Sequence, residues 1–186
     1  MGMIAVIDTE TTWKDEVMSI GIVTADSDTF LPLEKRYYVL TPFKDHGGMY
    51  SAVLYAGDIT PDLEGSRKSV MSDLTDFLRS REISDVFAYN AVFDFQHLPE
   101  LREFIWYDIM KLAAYRQYNK KIPASADTFS TGRLKRGYGV ESIYRLLSGN
   151  YSYNEVHNAV FDALDELEIM RMLGLEAVCY SAARIG

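Results

Sequence analysis

The sequence predicts a mixed α/β fold built as a single domain, with strands first and then helices around one more strand. Three observations predict it. The first forty residues hold short apolar runs separated by turn signals. Beyond them, Val70, Leu74, Phe77 and Leu78 recur at the spacing of one helical face. Finally, 186 residues of which 48% are hydrophobic suffice to bury one sizeable core, whereas two full domains would be cramped.

Each element follows from local pattern. "MIAVID" is a short apolar run that ends at an acid, and "VMSIGIVTAD" is a second that runs into the turn signal "ADSD". "KRYYVL", stopped by Thr41-Pro42, is a third, so the opening reads as an antiparallel meander. The apolar face at Val70 to Leu78 places a helix from about Ser66 to Arg81, and "DVFAY" reads as a buried strand after it. Further helices fit Ala91 to Phe104, interrupted near Pro99, then Asp108 to Asn119, then Val140 to Leu147 with Gly149 as a stop. The last helix runs from about Asn158 to Leu173, leaving residues 174–186 as a short tail.

Composition excludes several function classes. Cys179 is the single cysteine, so an internal disulfide and a cysteine-based zinc site are excluded, and the chain suits a reducing compartment. The N-terminal apolar run meets Asp8 after a few residues and has no basic flank, which fits neither a signal peptide nor a membrane span. A soluble cytoplasmic protein without a membrane partner is therefore expected. The net charge of −8 disfavours broad contact with a phosphate backbone. That charge is unevenly placed: Lys111 to Arg136 holds seven basic residues and one acid, a net +6, so the remainder carries −14. Tyr115, Tyr118 and Phe129 interleave with these cations, as on a surface that meets phosphates and stacks bases, although a solvated loop has the same composition.

"IAVIDTETT" leaves two acids directly after an apolar run. Asp8 and Glu10, at i and i+2 of a strand, project from the same face. Such a pair is tolerated around a hard cation such as Mg²⁺ or Mn²⁺, and equally in a solvated turn where Asp8 caps backbone N–H groups. Asp94 follows the strand-to-helix junction "AYNAVFD", where Asn90 reads as a helix cap. In "HNAVFDALDELEIM", Val160, Leu164 and Leu167 form the apolar stripe, and Asp162 falls opposite it, which makes it a solvent-facing charge like Asp165 and Glu166. Pattern alone leaves these carboxylates unconnected.

"DTET", "NAVFD" and "HNAVFDA", in that order, resemble the three exonuclease motifs of the DEDDh family, the 3′-5′ exonucleases similar to the DNA polymerase III proofreading subunit and ribonuclease T. "ITPDL" and "WYDIMKLA" between the motifs are similar as well, and the resemblance spans about residues 4 to 173. It implies a ribonuclease-H-like exonuclease fold, a mixed central β-sheet flanked by helices. It also implies that Asp8, Glu10, Asp94 and Asp162 hold two divalent ions, Mg²⁺ or Mn²⁺, and that His157 is the general base. The tyrosine subgroup has its Tyr where Asn158 stands here, which favours the histidine subgroup. By the same resemblance Thr9, Thr11, Trp13, Asn90 and Phe93 are substrate contacts, and the partner is a nucleic acid with a free 3′ end, with a polymerase or other replication or repair partner compatible. Trp13 departs from the family's glycine, and it either stacks on a base, narrows the pocket of the terminal nucleotide, or packs into the core or over a loop. His46 and His97 match no motif position. The implied activity is release of 5′-mononucleotides from single-stranded DNA or RNA, with the basic segment guiding the strand. The alternatives are a noncatalytic end-binding or polymerase-associated module, a phosphoesterase of small nucleotides or short oligonucleotides, and a structural protein.

Overall fold

A computed structural model describes residues 2–186. Its centre is one seven-stranded mixed sheet in the order β4-β3-β2-β1-β5-β6-β7. The strands are β1 (Met3–Thr11), β2 (Val17–Asp26), β3 (Pro32–Thr41), β4 (Leu63–Ser66), β5 (Asp85–Ala88), β6 (Ile105–Asp108) and β7 (Arg184–Ile185). β1, β2 and β3 form the expected antiparallel meander, while β5 and β6 extend it in parallel from β1. Every residue of β2 is buried, as its near-continuous apolar sequence requires of a strand covered on both faces.

Two layers of helix provide that cover. On one face α1 (Arg67–Ser80) packs Val70, Leu74, Phe77 and Leu78 against Ala5, Ile7, Ile20 and Ile22. Ser66 caps it by accepting the Ser69 N–H at 3.2 Å. On the other face α5 (Ala159–Leu173), backed by α4 (Val140–Ser148), packs Ala163, Leu167 and Met170 against Ile4, Val6 and Val23. α4 stops at Gly149, whose φ of +74° suits the left-handed C-terminal cap.

The middle of the chain departs from the pattern reading. The helix expected over Ala91 to Phe104, interrupted near Pro99, is α2 (Val92–His97) before the interruption, which falls where expected, and only a 3₁₀ turn at Pro99–Leu101 after it. The proline removes a donor and forces the break, and the chain returns to the sheet as β6, with Trp106 buried and its indole N–H on the Leu101 carbonyl at 3.0 Å. The helix expected over Asp108 to Asn119 is one turn, α3 (Met110–Ala113). The buried Asn119 side-chain amide donates to the Ala113 carbonyl at 2.7 Å, closing the chain back on that turn. Residues 174–186 are not a loose tail: they include a 3₁₀ segment that buries Tyr180 and Ala183, and β7, which pairs with β6. Among the described residues no helix is long and apolar enough to cross a membrane.

Candidate active site

Alternation along β1 sends Ile4, Val6, Asp8 and Glu10 to the face covered by α5, so the two acids continue an apolar row past the edge of the core. Asp8 lies opposite Gly21 of β2 in the antiparallel register. A Cβ at Gly21 would sit 2.1 Å from the Ala159 carbonyl oxygen and 2.2 Å from the Val160 nitrogen. Only glycine lets the first turn of α5 lie directly on β2 at that point. Val160 and Ala159 then close over Tyr37 and Val39 of β3. That seating brings Asp162, one turn into α5, beside Asp8 and Glu10.

Asp94 arrives from the opposite side. After β5 the chain turns through Asn90, which adopts φ +59°, and its N–H is accepted by Asp108 Oδ1 at 3.0 Å. The same oxygen accepts the Met110 N–H at 3.0 Å, so one buried acid fixes both turns. Asn90 does not cap α2 as expected: Ala91 occupies the cap position without a side-chain bond, and the exposed Asn90 lines the cleft. Asp94, 2% exposed, accepts the Thr9 hydroxyl at 2.7 Å.

His157 is held from two directions. Its φ is +58°, a conformation unusual for a residue with a side chain, and its ring stacks on Tyr50 with centroids 4.1 Å apart and planes 15° from parallel. The next residue, Asn158, is buried, and its amide donates to the carbonyls of Val53 and Leu54 at 2.9 and 3.1 Å and to the Tyr37 hydroxyl at 3.3 Å. The segment carrying Tyr50 is thereby bolted to the start of α5. Upstream, Arg145 of α4 donates to the Tyr153 carbonyl at 2.7 Å and to the Asn154 side chain at 3.0 Å.

These elements enclose an open cleft of about 420 Å³ lined by Asp8, Glu10, Asp94, His157 and Asp162. One potential ligand atom from each of Glu10, His157 and Asp162 lies within 4.8 Å of the other two. Asp162 is 3% exposed, contrary to the solvent-facing position given by periodicity. α5 is buried on two adjacent stripes, one against the sheet core and one at Ala159, Asp162, Glu166 and Ile169, so its charges are not a solvated face. Glu166 is likewise buried and accepts the Tyr89 N–H at 3.0 Å, and Asp165 is half-buried beside the Tyr153 hydroxyl. Glu155 in the cleft wall and Glu166 beneath it belong to no motif. The signal for Glu166 was its i+4 spacing from Asp162 together with Ile169 and Ala159, which a single-stripe reading overlooks.

Crowding and burial raise every one of these acids. Burial, reinforced by the charge of Asp162, pushes Glu10 up to about 9, and burial with the charge of Glu155 takes Asp162 to about 8. Asp94 rises to about 7 through burial, opposed by the Thr9 hydroxyl bond. Asp8 is raised well above the carboxylate range by burial and then by Glu166. Two buried oxygens, Asp8 Oδ2 and Asp162 Oδ1, have no hydrogen-bond partner. Burial moves the His157 imidazole the other way, below its ordinary value, favouring the neutral ring.

The five further residues singled out by motif position also line this cleft. Thr9 directs its hydroxyl to Asp94, and Thr11 and Asn90 are part of the wall. Phe93 is 37% exposed and Trp13 69% exposed, so Trp13 is a rim residue and core packing is ruled out for it. His46 and His97 lie outside the lining and pair with Glu16 at 2.8 Å and Asp15 at 3.1 Å.

No protein-family model and no curated protein matches the sequence. Solved structures do match the fold. Exonuclease X in complex with 5′ overhanging duplex DNA is 19% identical, with a TM-score of 0.60 over 96% of this chain and 98% of that one. The nuclease domain of 3′hExo, a DEDDh family member bound to rAMP, is 15% identical with a TM-score of 0.63, covering 92% of each chain. Exonuclease I of E. coli in complex with a dT13 oligonucleotide is 14% identical with a TM-score of 0.64, and 98% of this chain corresponds to only 43% of that one. The chain therefore shares its fold, a single mixed sheet flanked by helices, with these solved exonucleases, one of them a DEDDh family member.

Proposed function

We propose that the cleft hydrolyses the phosphodiester bond at the 3′ end of single-stranded DNA or RNA and releases 5′-mononucleotides. The observation that carries this reading is the convergence of Asp8, Glu10, Asp94, Asp162 and His157, drawn from three distant segments, on one open cleft. The nucleic acid and rAMP held by proteins of similar fold support the choice of substrate. The four acids fit a pair of divalent ions: they are hard oxygen donors, they repel one another as they stand, and two of their oxygens are buried without a partner. Asp8, Glu10, Asp94 and Asp162 would hold Mg²⁺ or Mn²⁺. Such ions, when bound, acidify water and offset the charge that develops on the phosphate oxygens.

The chain's own residues have separable tasks. His157, whose neutral ring is favoured by burial, takes the proton of the attacking water on the ring nitrogen nearest Glu10 and Asp162. The water oxygen bonds to phosphorus as the bond to the 3′ oxygen breaks, so the nucleotide leaves with a 5′-phosphate, and the departing 3′ oxygen takes a proton from solvent to become the new 3′-hydroxyl. Thr9 keeps Asp94 from turning away, and Trp13 and Phe93 offer exposed rings to the terminal bases.

A time course on 5′-labelled single-stranded DNA and RNA of matched sequence, in Mg²⁺ and in EDTA, tests the reading. A ladder that shortens from the 3′ end only with metal is expected. No shortening of either strand in Mg²⁺ or Mn²⁺ overturns it in favour of a noncatalytic end-binding module. The Tyr50 stack adds a sharper expectation. Tyr50→Ala should lower kcat by about 10- to 100-fold with a small change in KM, because the base loses its orientation and not the substrate its contacts. Tyr50→Phe keeps the ring and should retain most of the activity. Equal loss in both variants would mean that the ring does not position the base.

A further inference from the structure

The segment between α3 and α4, residues 114–139, carries most of the chain's clustered positive charge. It is built and not slack. Ile122 and Leu134 are buried, and the Arg116 guanidinium donates to the carbonyls of Ala126 and Pro123 at 2.6 and 3.3 Å. A tight turn is closed by Phe129 N–H to the Arg133 carbonyl at 2.8 Å and Gly132 N–H to the Phe129 carbonyl at 2.9 Å. On this frame the Arg133 guanidinium lies between two rings, 4.9 Å from the centroid of Phe129 and 5.2 Å from that of Tyr138. Both rings are exposed, at 44% and 39%; Arg136 is exposed beside them, and Lys135 is exposed and paired at 2.9 Å with the exposed Asp127, a surface ion pair that a phosphate can replace.

Tyr89 connects this surface to the cleft. It is part of the cleft wall, and its hydroxyl donates to the Tyr138 carbonyl. The aromatic and basic face therefore begins one tyrosine side chain away from the acids. Glu141, the acid nearest that junction on α4, is engaged by Arg145 at 3.0 Å. Outside Lys111 to Arg136 the chain carries a net charge of −14, so this segment is where the sequence concentrates positive charge.

We infer that the face formed by Phe129, Arg133, Tyr138, Lys135 and Arg136 binds the strand on the 5′ side of the scissile nucleotide. The substrate is thus a single strand several nucleotides long, not a mononucleotide ester. This rests on the proposed exonuclease reading and adds to it a second binding surface, with phosphates on the cations and bases on the two rings.

The test compares the parent with the triple variant R133Q/K135Q/R136Q and with Phe129→Ala. Binding of a fluorescent single strand of about twelve nucleotides is measured in EDTA across a salt series. In Mg²⁺, kcat/KM for that strand is compared with kcat/KM for a dinucleotide. Each phosphate contact contributes about 0.7 to the slope of log K against log salt on a single strand, so the triple variant should lose about 2 from the slope and bind about tenfold more weakly at low salt. Its preference for the long strand over the dinucleotide should collapse. Phe129→Ala should weaken binding about tenfold without moving the slope, since stacking carries no counterion release. Unchanged affinity and slope in the triple variant, or equal kcat/KM for both substrates in the parent, would overturn the inference. If the parent cleaves neither substrate the exonuclease reading fails, and the binding arms alone decide the surface.

Discussion

Asp162→Asn should abolish hydrolysis and at the same time stabilise the metal-free protein. Loss of activity follows from the proposed function, in which Asp162 is one of the carboxylates that would hold metal, and at least about 10³-fold is expected from several kcal/mol of transition-state stabilisation. The gain in stability follows from the pKa. An unfolded aspartate titrates near 3.8, whereas Asp162 in the fold is raised to about 8. Between those values the native state holds a proton that the unfolded state has released, so stability is fully present below about 4 and is lost as pH rises through 8. Glu10, at about 9, and Asp94, at about 7, act with the same sign. The metal-free protein should therefore melt at progressively lower temperature from pH 4 to pH 8, and Mg²⁺ or Mn²⁺ should reverse the loss at the alkaline end. With one acid removed, a gain of about 1–3 kcal/mol at pH 8 corresponds to roughly 2–12 °C. Differential scanning calorimetry of both proteins, with and without metal, gives the answer. A flat melting temperature from pH 4 to 8, unmoved by metal, would mean that the acids are not crowded in the way described.

Gly21→Ala tests the seating of α5. Its new methyl group would meet the Ala159 carbonyl at 2.1 Å, a main-chain atom in the first turn of a buried helix, where no side-chain rotation relieves the overlap. Overpacking in cores costs about 1–3 kcal/mol when side chains can adjust, so about 3 kcal/mol or more is expected here, or about 6–12 °C in melting temperature. Activity should fall further than stability explains, since His157 and Asp162 flank the displaced turn. Gly139→Ala, where a Cβ meets nothing within 4 Å, is the control and should cost under about 1 kcal/mol. A Gly21→Ala protein with parental melting temperature and turnover would show that the helix is free to ride away from β2.

The three strands of the meander were legible as apolar runs between turn signals, and α1 because its apolar residues repeat with a clear helical period. β4 was not: "LEGS" is polar, half exposed and carries a glycine, and it is a strand only because β3 offers it a parallel edge. β6 and β7 are too short for periodicity, and their pairing with β5 and with each other is a tertiary event. In the site, Asp8 and Glu10 could be placed on one face by alternation alone. Asp162 and Glu166 could not, since a period-3.6 reading assigns charge to solvent and cannot see that α5 has neighbours on two sides. Nor does any sequence rule pair Tyr50 with His157, which are more than a hundred positions apart.

The two adjacent residues His157 and Asn158 point in opposite directions, one to the cleft and one into the wall formed by Tyr37, Val53 and Leu54. Tolerance to substitution should therefore change in kind within a single step along the chain. Variants at position 157 would be sorted by turnover with soluble yield preserved, and variants at position 158 by yield first, since a buried amide with three partners has few replacements. A selection that scores growth alone would merge the two, and one that scores abundance and activity separately would draw a boundary between neighbouring codons.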